Sequence, residues 1–179
     1  MKPGYIAVTL LLVLSLLLVA AGCTQPAPAT VTPSLTVPAA PAAPAAGSST
    51  KDEMVTFVKE ATAYAQSHDK NASLAEFSNR NGSFVRGDLY IYAYDFNGIT
   101  LAHPFNPEKI GVNRINETDA LGTLFITNLR DAARNGSGFV EFAYINPANN
   151  YTVEKKLGYV EKVDNDWWLG SGIYFGPVT

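Results

Sequence analysis

Residues 51–179 predict an α+β domain: an antiparallel sheet of about five strands, a long N-terminal helix on one face, and a helix plus loops on the other. Helical periodicity occurs twice, once ahead of the strand runs and once between them. The strand runs are joined by short turn sequences, which makes sequential neighbours antiparallel. Composition also changes sharply near residue 50, where a charge-poor segment gives way to a sequence able to build a core.

Thr50 stands three residues before Glu53, a capping-box spacing, and Met54, Phe57, Val58, Ala61, Tyr64 and Ala65 then recur at helical intervals. This gives a helix over 51–67. A short second helix over 71–80 holds Leu74 and Phe77 inside and breaks at Asn81-Gly82. Residues 88–95 are rich in aromatic and β-branched side chains and form a strand. Its two-residue period puts Tyr90, Tyr92 and Tyr94 on one face and Leu89, Ile91 and Ala93 on the other. Asn97-Gly98 is a hairpin turn, 99–102 the return strand, and His103-Pro104 its end. A polar loop over 104–116 leads to a helix over 117–134, marked by Leu121, Leu124, Phe125, Leu129 and Ala132, with Gly136 as its C-cap. Strands over 138–145, 152–163 and 167–175 complete the order. The middle helix and its loops are expected over the first hairpin, leaving an enclosed cavity between the sheet and loop 103–116.

The charge balance limits the function classes. All 16 acidic residues and all 13 basic residues except Lys2 lie beyond residue 50, so that part is one unit more negative than the −3 of the whole chain. A mildly acidic domain lacks the basic footprint of non-specific nucleic-acid binding. The single cysteine excludes an intramolecular disulfide and a Cys-cluster metal site. The 129 residues from 51 to 179 suit one domain.

Residues 1–22 read as a signal peptide: Lys2, an apolar run, then Ala20-Ala21-Gly22. Cys23 follows directly and resembles the lipidated cysteine of a lipobox, although Ala20 stands where Leu is usual. The alternative is a retained anchor helix. Either arrangement holds the rest of the chain at the outer side of a membrane. Residues 23–50 are a Pro/Ala-rich linker able to reach roughly 80 Å in extended form. Five N-x-S/T sequons, at Asn71, Asn81, Asn116, Asn135 and Asn150, exceed chance expectation and are candidate glycosylation sites.

An ordered set of segments carries a family resemblance. It comprises Leu89-Tyr-Ile-Tyr-Ala-Tyr-Asp95, Gly98, Leu101-Ala-His-Pro104, Ile110-Gly111, Asp119 and Gly122. It continues with Gly138-Phe-Val-Glu-Phe142, Asn146-Pro147, Lys156-Leu-Gly-Tyr-Val160, Trp167 and Gly170-Ser-Gly-Ile-Tyr174. Together these resemble the single Cache domain family, extracytoplasmic PAS-like sensor modules of chemoreceptors, sensor kinases and stand-alone secreted proteins. The resemblance implies a small ligand, a short organic acid or an amino acid. The sequence shows no transmitter after the last strand, so output is expected to need a separate membrane sensor or transporter.

Candidate ligand-binding residues are Tyr92, His103, Arg114, Tyr144, Lys156 and Tyr159. The resemblance places a His-Pro at 103–104 and a lysine at 156. Lys155 and Lys156 point to opposite faces of their strand, so one can turn inward, and a single ammonium in an apolar pocket suits a carboxylate. His103 is either a pocket donor or a structural imidazole holding its loop. Arg114 is either a carboxylate clamp or an ordinary exposed loop arginine. The tyrosine stripe otherwise reads as core beneath the first helix, with Tyr92 its central pocket member. Trp167, Trp168 and Tyr174 read as core, with Gly170 and Gly172 admitting a helix closely. His68 sits as a helper at a helix C-terminus. No cofactor or metal site is expected. Gly170-Ser171-Gly172 lacks nucleophile-elbow spacing, the two histidines lack zinc-ligand spacing, and Asp95-Asn97-Gly98 lacks the downstream glutamate of a calcium loop. An enzyme is therefore not expected. The alternative to a sensor is a structural or adhesive envelope module whose interior is packed shut.

Overall fold

A computed structural model describes residues 49–146 and 149–178. The segments expected to be a signal peptide and a linker up to residue 48, with Cys23 between them, lie outside the described residues.

Helix α1 (Lys51–Ser67) begins with the expected capping box. Glu53 N donates to Thr50 Oγ1 at 3.2 Å, and Thr50 N donates to Glu53 Oε2 at 2.7 Å. Asp69 caps α2 (Lys70–Ser78) by accepting from Asn71 N and Ala72 N. Two short strands, β1 (Val85–Arg86) and β2 (Leu89–Tyr90), pair with each other. The chain breaks at Ile91 before β3 (Tyr92–Asp95), so the strand expected over 88–95 is split between two sheets.

The main sheet contains β3, β4 (Thr100–Ala102), β5 (Ser137–Asn146), β6 (Thr152–Lys162) and β7 (Trp167–Pro177). Its order is β4-β3-β7-β6-β5, and every pairing is antiparallel. Side-chain alternation gives the sheet two unlike faces. One carries Leu89, Ile91, Ala93, Trp167 and Leu169 against Met54, Phe57, Val58 and Ala61 of α1 and Phe77 of α2, a predominantly apolar layer. The other carries Tyr90, Tyr92, Tyr94, Phe142, Val160 and Trp168 against Phe125, Ile126, Leu129 and Ala133 of α3 (Phe125–Arg134). The tyrosine stripe therefore lies away from α1, not beneath it. Its aliphatic neighbours of opposite parity take that position.

Helix α3 is shorter than the expected 117–134, because Asp119 organises the preceding residues as a loop. Its Oδ1 accepts from Leu121 N at 2.9 Å and Thr123 N at 2.8 Å, and its Oδ2 accepts from Ala143 N at 2.9 Å. Gly122 adopts φ +81°, and Leu121 is 65% exposed, so this part of the apolar periodicity buries nothing. The helix also packs on β5 and β6, leaving loops to cover the first hairpin.

Loop 103–116 folds back beside β4. Thr100 N donates to Val112 O, Gly111 N to Thr100 O, and Arg114 N to Gly98 O at 2.8 Å. The Asn97-Gly98 turn makes this return possible. Asp95 Oδ1 accepts from Asn97 N and Ile99 N, and Gly98 sits at φ +90° directly under Ile115.

A Cβ at Gly98 would lie 2.6 Å from Ile115 Cβ and 3.0 Å from its backbone Cα. Gly98→Ala is expected to destabilise the protein by about 2 kcal/mol or more, from left-handed strain plus overlap with backbone. Chemical denaturation measures this, and a change below about 0.5 kcal/mol, the range of ordinary surface substitutions, would contradict the packing described.

Candidate functional site

The second face of the sheet carries a small cavity lined by Tyr90, Tyr92, Tyr94, His103, Arg114, Ile126, Leu129, Phe142, Tyr144 and Lys156. Its free volume is about 20 Å³, room for about one water. Five of the six expected residues meet here. Tyr159 does not: it lies three residues from Lys156 on one strand and so faces α1, packing on Phe139 and donating to Glu161 Oε1 at 2.9 Å. Tyr90 and Tyr94 belong to the wall, as the parity of Tyr92 implies, and Phe142 is the direct register partner of Lys156. Arg114 is buried rather than exposed, because the folded-back loop carries it beside Tyr94.

Lys156 is 2% exposed. Its Nζ donates to Tyr90 Oη at 2.9 Å and lies 4.8, 5.6 and 4.7 Å from the ring centres of Tyr90, Tyr144 and Tyr174. Tyr174, expected as core, instead forms part of this cage and donates to Ile145 O at 2.7 Å. Among the described residues no carboxylate comes within 4.0 Å of Lys156 Nζ. The aromatic faces offset part of the lost hydration. Burial still pulls the ammonium down to about 8, with Tyr144 and Asp88 opposing weakly. Gly172 makes the position sterically accessible: a Cβ there would meet Lys156 Cε at 2.6 Å. Gly170 likewise would meet Tyr92 Cε2 at 3.0 Å and Tyr159 O at 2.6 Å. These glycines clear space for cavity side chains and the neighbouring strand, not for a helix.

Arg114, the second cation, has its own acid. Nε and Nη2 donate to the two carboxylate oxygens of Glu117 at 2.5 and 2.7 Å. Nη1 donates to Tyr94 Oη, and Nη2 also to Tyr144 Oη at 3.3 Å. Burial disfavours the guanidinium charge, but the Glu117 bond together with the charge interactions of Tyr94, Tyr144 and Glu117 outweighs it, and the pKa is raised. That bond in turn lowers the Glu117 carboxyl pKa.

His103 lines the cavity and holds its loop, the structural role weighed from the sequence. Its Nδ1 accepts from Phe105 N at 3.2 Å and Asn106 N at 3.1 Å, pinning the loop, while its ring packs against Tyr90 at 5.2 Å. Burial, then the charges of Lys156 and Arg114, push its pKa to about 3. It is therefore a neutral imidazole at physiological pH, and with Nδ1 engaged as acceptor its proton belongs on Nε2. His68 lies outside the site, exposed, stacked 3.9 Å over Tyr64 near the end of α1. Among the described residues no cluster of three or more His, Cys, Asp or Glu could hold a metal ion.

An unpaired buried ammonium costs stability. Lys156→Met, which keeps the stem and removes the charge, is expected to stabilise the free protein by roughly 1–3 kcal/mol near neutral pH. The folded-state pKa is depressed, so the wild-type cost is full below about 8 and is relieved as pH rises towards the ordinary lysine value of 10.5. The gap between the two proteins should therefore narrow over that interval. Denaturant melts at pH 7 and pH 10 measure it, and a destabilised methionine variant would contradict the electrostatic description.

Residues 51–179 match the single Cache domain 2 family along their whole length. A sensor histidine kinase of Rhizobium johnstonii, MctS, is 29% identical over 92 residues, which are 51% of this chain and 20% of the kinase. A methyl-accepting chemotaxis protein from Vibrio parahaemolyticus superposes with a TM-score of 0.57 and 29% identity, covering 69% of this chain and 87% of that structure. A Cache chemosensory domain solved for its recognition of carboxylic acids shares the fold at a TM-score of 0.58 and 22% identity, over 69% of this chain and 91% of its own. An α+β layout, a five-stranded antiparallel sheet and a cavity on the face opposite the long helix accompany these matches, and the chain belongs to the single Cache domain 2 family of sensor domains.

Proposed function

We propose that the domain is an extracytoplasmic receptor for a short monocarboxylate. The observation that carries this reading is the buried Lys156 ammonium without a counter-ion, since a site built to hold one anion presents one unmatched positive charge. Lys156 would make the charge-assisted bond to the carboxylate. The Tyr144 hydroxyl, which accepts from Arg114, keeps its own proton to donate, whereas Tyr92 Oη donates to Ser171 O at 3.1 Å and His103 Nε2 lies 3.2 Å from the Asn106 side-chain amide, so those two would have to exchange partners to reach a ligand. Arg114 stands at the cavity wall with its charge already balanced. An amino acid suits the site less well than a simple acid, because no acidic residue lines the cavity to receive an ammonium group. A free volume near 20 Å³ requires the walls to part for any organic ligand, and loop 103–116, which brings both His103 and Arg114, is the segment best placed to yield.

That small volume also favours a second reading, a ligand-free structural or adhesive module. Physical cost argues against it. A purely structural interior would be more stable with an apolar residue at 156, whereas a receptor retains the charge for its ligand.

Signal peptide removal, lipidation of Cys23 and the linker role of 23–50 complete the proposal: a membrane-tethered domain that reports occupancy to a separate membrane sensor or transporter. No helix among the described residues is long and apolar enough to cross a membrane. All five sequon asparagines are exposed, which suits modification, although the Ser73 hydroxyl of the first sequon is buried and donates to Asp69 O. Catalysis is not part of the proposal.

Calorimetric titration with acetate, propionate, lactate and pyruvate across pH 5–10 tests it. Affinity is expected to be flat from pH 5 to 7, because His103 stays neutral, and to fall above about 8 as free Lys156 loses its proton. Lys156→Met should weaken binding by at least a hundredfold, about 2.7 kcal/mol. Binding that persisted at pH 10, or that survived the substitution, would overturn the assignment.

A further inference from the structure

The cavity wall holds two cations, Lys156 and Arg114, and the one acid bonded to either, Glu117, stands behind Arg114 outside the lining. Arg114 has five N–H groups. Four are occupied: Nε and one Nη2 proton by Glu117, the other Nη2 proton by Tyr144 Oη, and one Nη1 proton by Tyr94 Oη. Glu117 holds the bidentate edge of the guanidinium, the edge that a carboxylate ligand would otherwise take. Tyr144 links the two cations: its hydroxyl meets Arg114, and its ring lies 5.6 Å from Lys156 Nζ. Lys156 and Arg114 both line the cavity, and Glu117 holds an Arg114 edge that a second carboxylate would need.

We propose that Glu117 is the specificity-determining residue that restricts this site to a single carboxylate, by occupying Arg114 as an internal substitute for a second one. The inference rests on the carboxylate reading above. With Glu117 in place, the Lys156–Arg114–Glu117 set carries one net positive charge and His103 adds none. A dicarboxylate brings a surplus negative charge and finds no free guanidinium edge. Glu117 comes from the loop following Arg114, and its side chain is 35% exposed while that of Arg114 is 3% exposed. Removing the glutamate therefore opens the edge without hollowing the core. Lys109, 3.7 Å from Glu117 Oε1, lies on the outer side of the same cluster and supplements its charge balance.

Acetate and succinate are suitable probes, titrated calorimetrically into wild-type protein, Glu117→Ala, Glu117→Gln and the double variant Arg114→Met/Glu117→Ala, with thermal melts to establish folding. Wild type is expected to prefer acetate at least tenfold. Glu117→Ala should shift the succinate-to-acetate affinity ratio at least tenfold towards succinate. Glu117→Gln keeps the edge filled but drops the charge, and should give a smaller shift, about threefold. The double variant should lose the gain. Should the alanine variant fail to fold, the glutamine variant decides alone, and a ratio unchanged within twofold overturns the proposal. An unchanged ratio in a folded alanine variant overturns it as well, while acetate binding in wild type would leave the monocarboxylate reading standing. If wild type binds neither probe and the variants bind neither, both readings fall.

Discussion

A charged ammonium group without a counter-ion, sealed beneath a layer of tyrosines, is the constraint on which the rest of this domain turns. Lys156 could not occupy its position if Gly172 carried a side chain, and it would be costlier still without the three aromatic faces around it. The same environment neutralises His103 and requires that Arg114 bring Glu117 along. One uncompensated charge thereby orders the chemistry of its neighbours: a neutral imidazole, a paired guanidinium and a row of phenols kept protonated by burial, with Tyr90 pushed up to about 12.

The two faces of the sheet divide the labour. Packing of α1 and α2 on aliphatic and aromatic side chains supplies an apolar layer that can carry stability. The opposite face gives up some of that stability to hold polar groups at fixed positions. Such a division lets a binding site be strained without loosening the fold, because the transfer energy comes mainly from the other layer. Loops complete that opposite face, where Arg80 Nε donates to Pro104 O and Asp119 anchors residues 119–123 to β5.

Much of this was legible in the chain. Alternation in 88–95 separated the two faces correctly, and turn chemistry located the hairpins. Parity also contained the answer for Tyr159: residues 156 and 159 on one strand cannot share a face, so selecting both was inconsistent. The break at Ile91 and the late start of α3 were less accessible. Neither follows from residue pattern: the first comes with the tight β1–β2 pairing, where Ile91 N donates to Phe84 O, and the second with Ala143 N donating to Asp119 Oδ2 across 24 residues. Burial of Arg114 had no local signal at all, since it follows from the backward path of loop 103–116 along β4. Its partner Glu117 stands at the (i,i+3) spacing, which a reading of charge pairs could have noticed. The cavity's small size was hidden for the same reason: volume is set by how side chains from six separate segments interlock.

The ionisation of Lys156 tests the central claim most directly. NMR titration of its side-chain ε-methylene, assigned with Lys156→Met, reads the pKa with and without a saturating monocarboxylate. A buried, unpaired ammonium should titrate near 8 in the free protein. Pairing with a bound carboxylate should move it upward by one unit or more. A free-protein value at the ordinary lysine position, or one that no carboxylate displaces, would contradict the account.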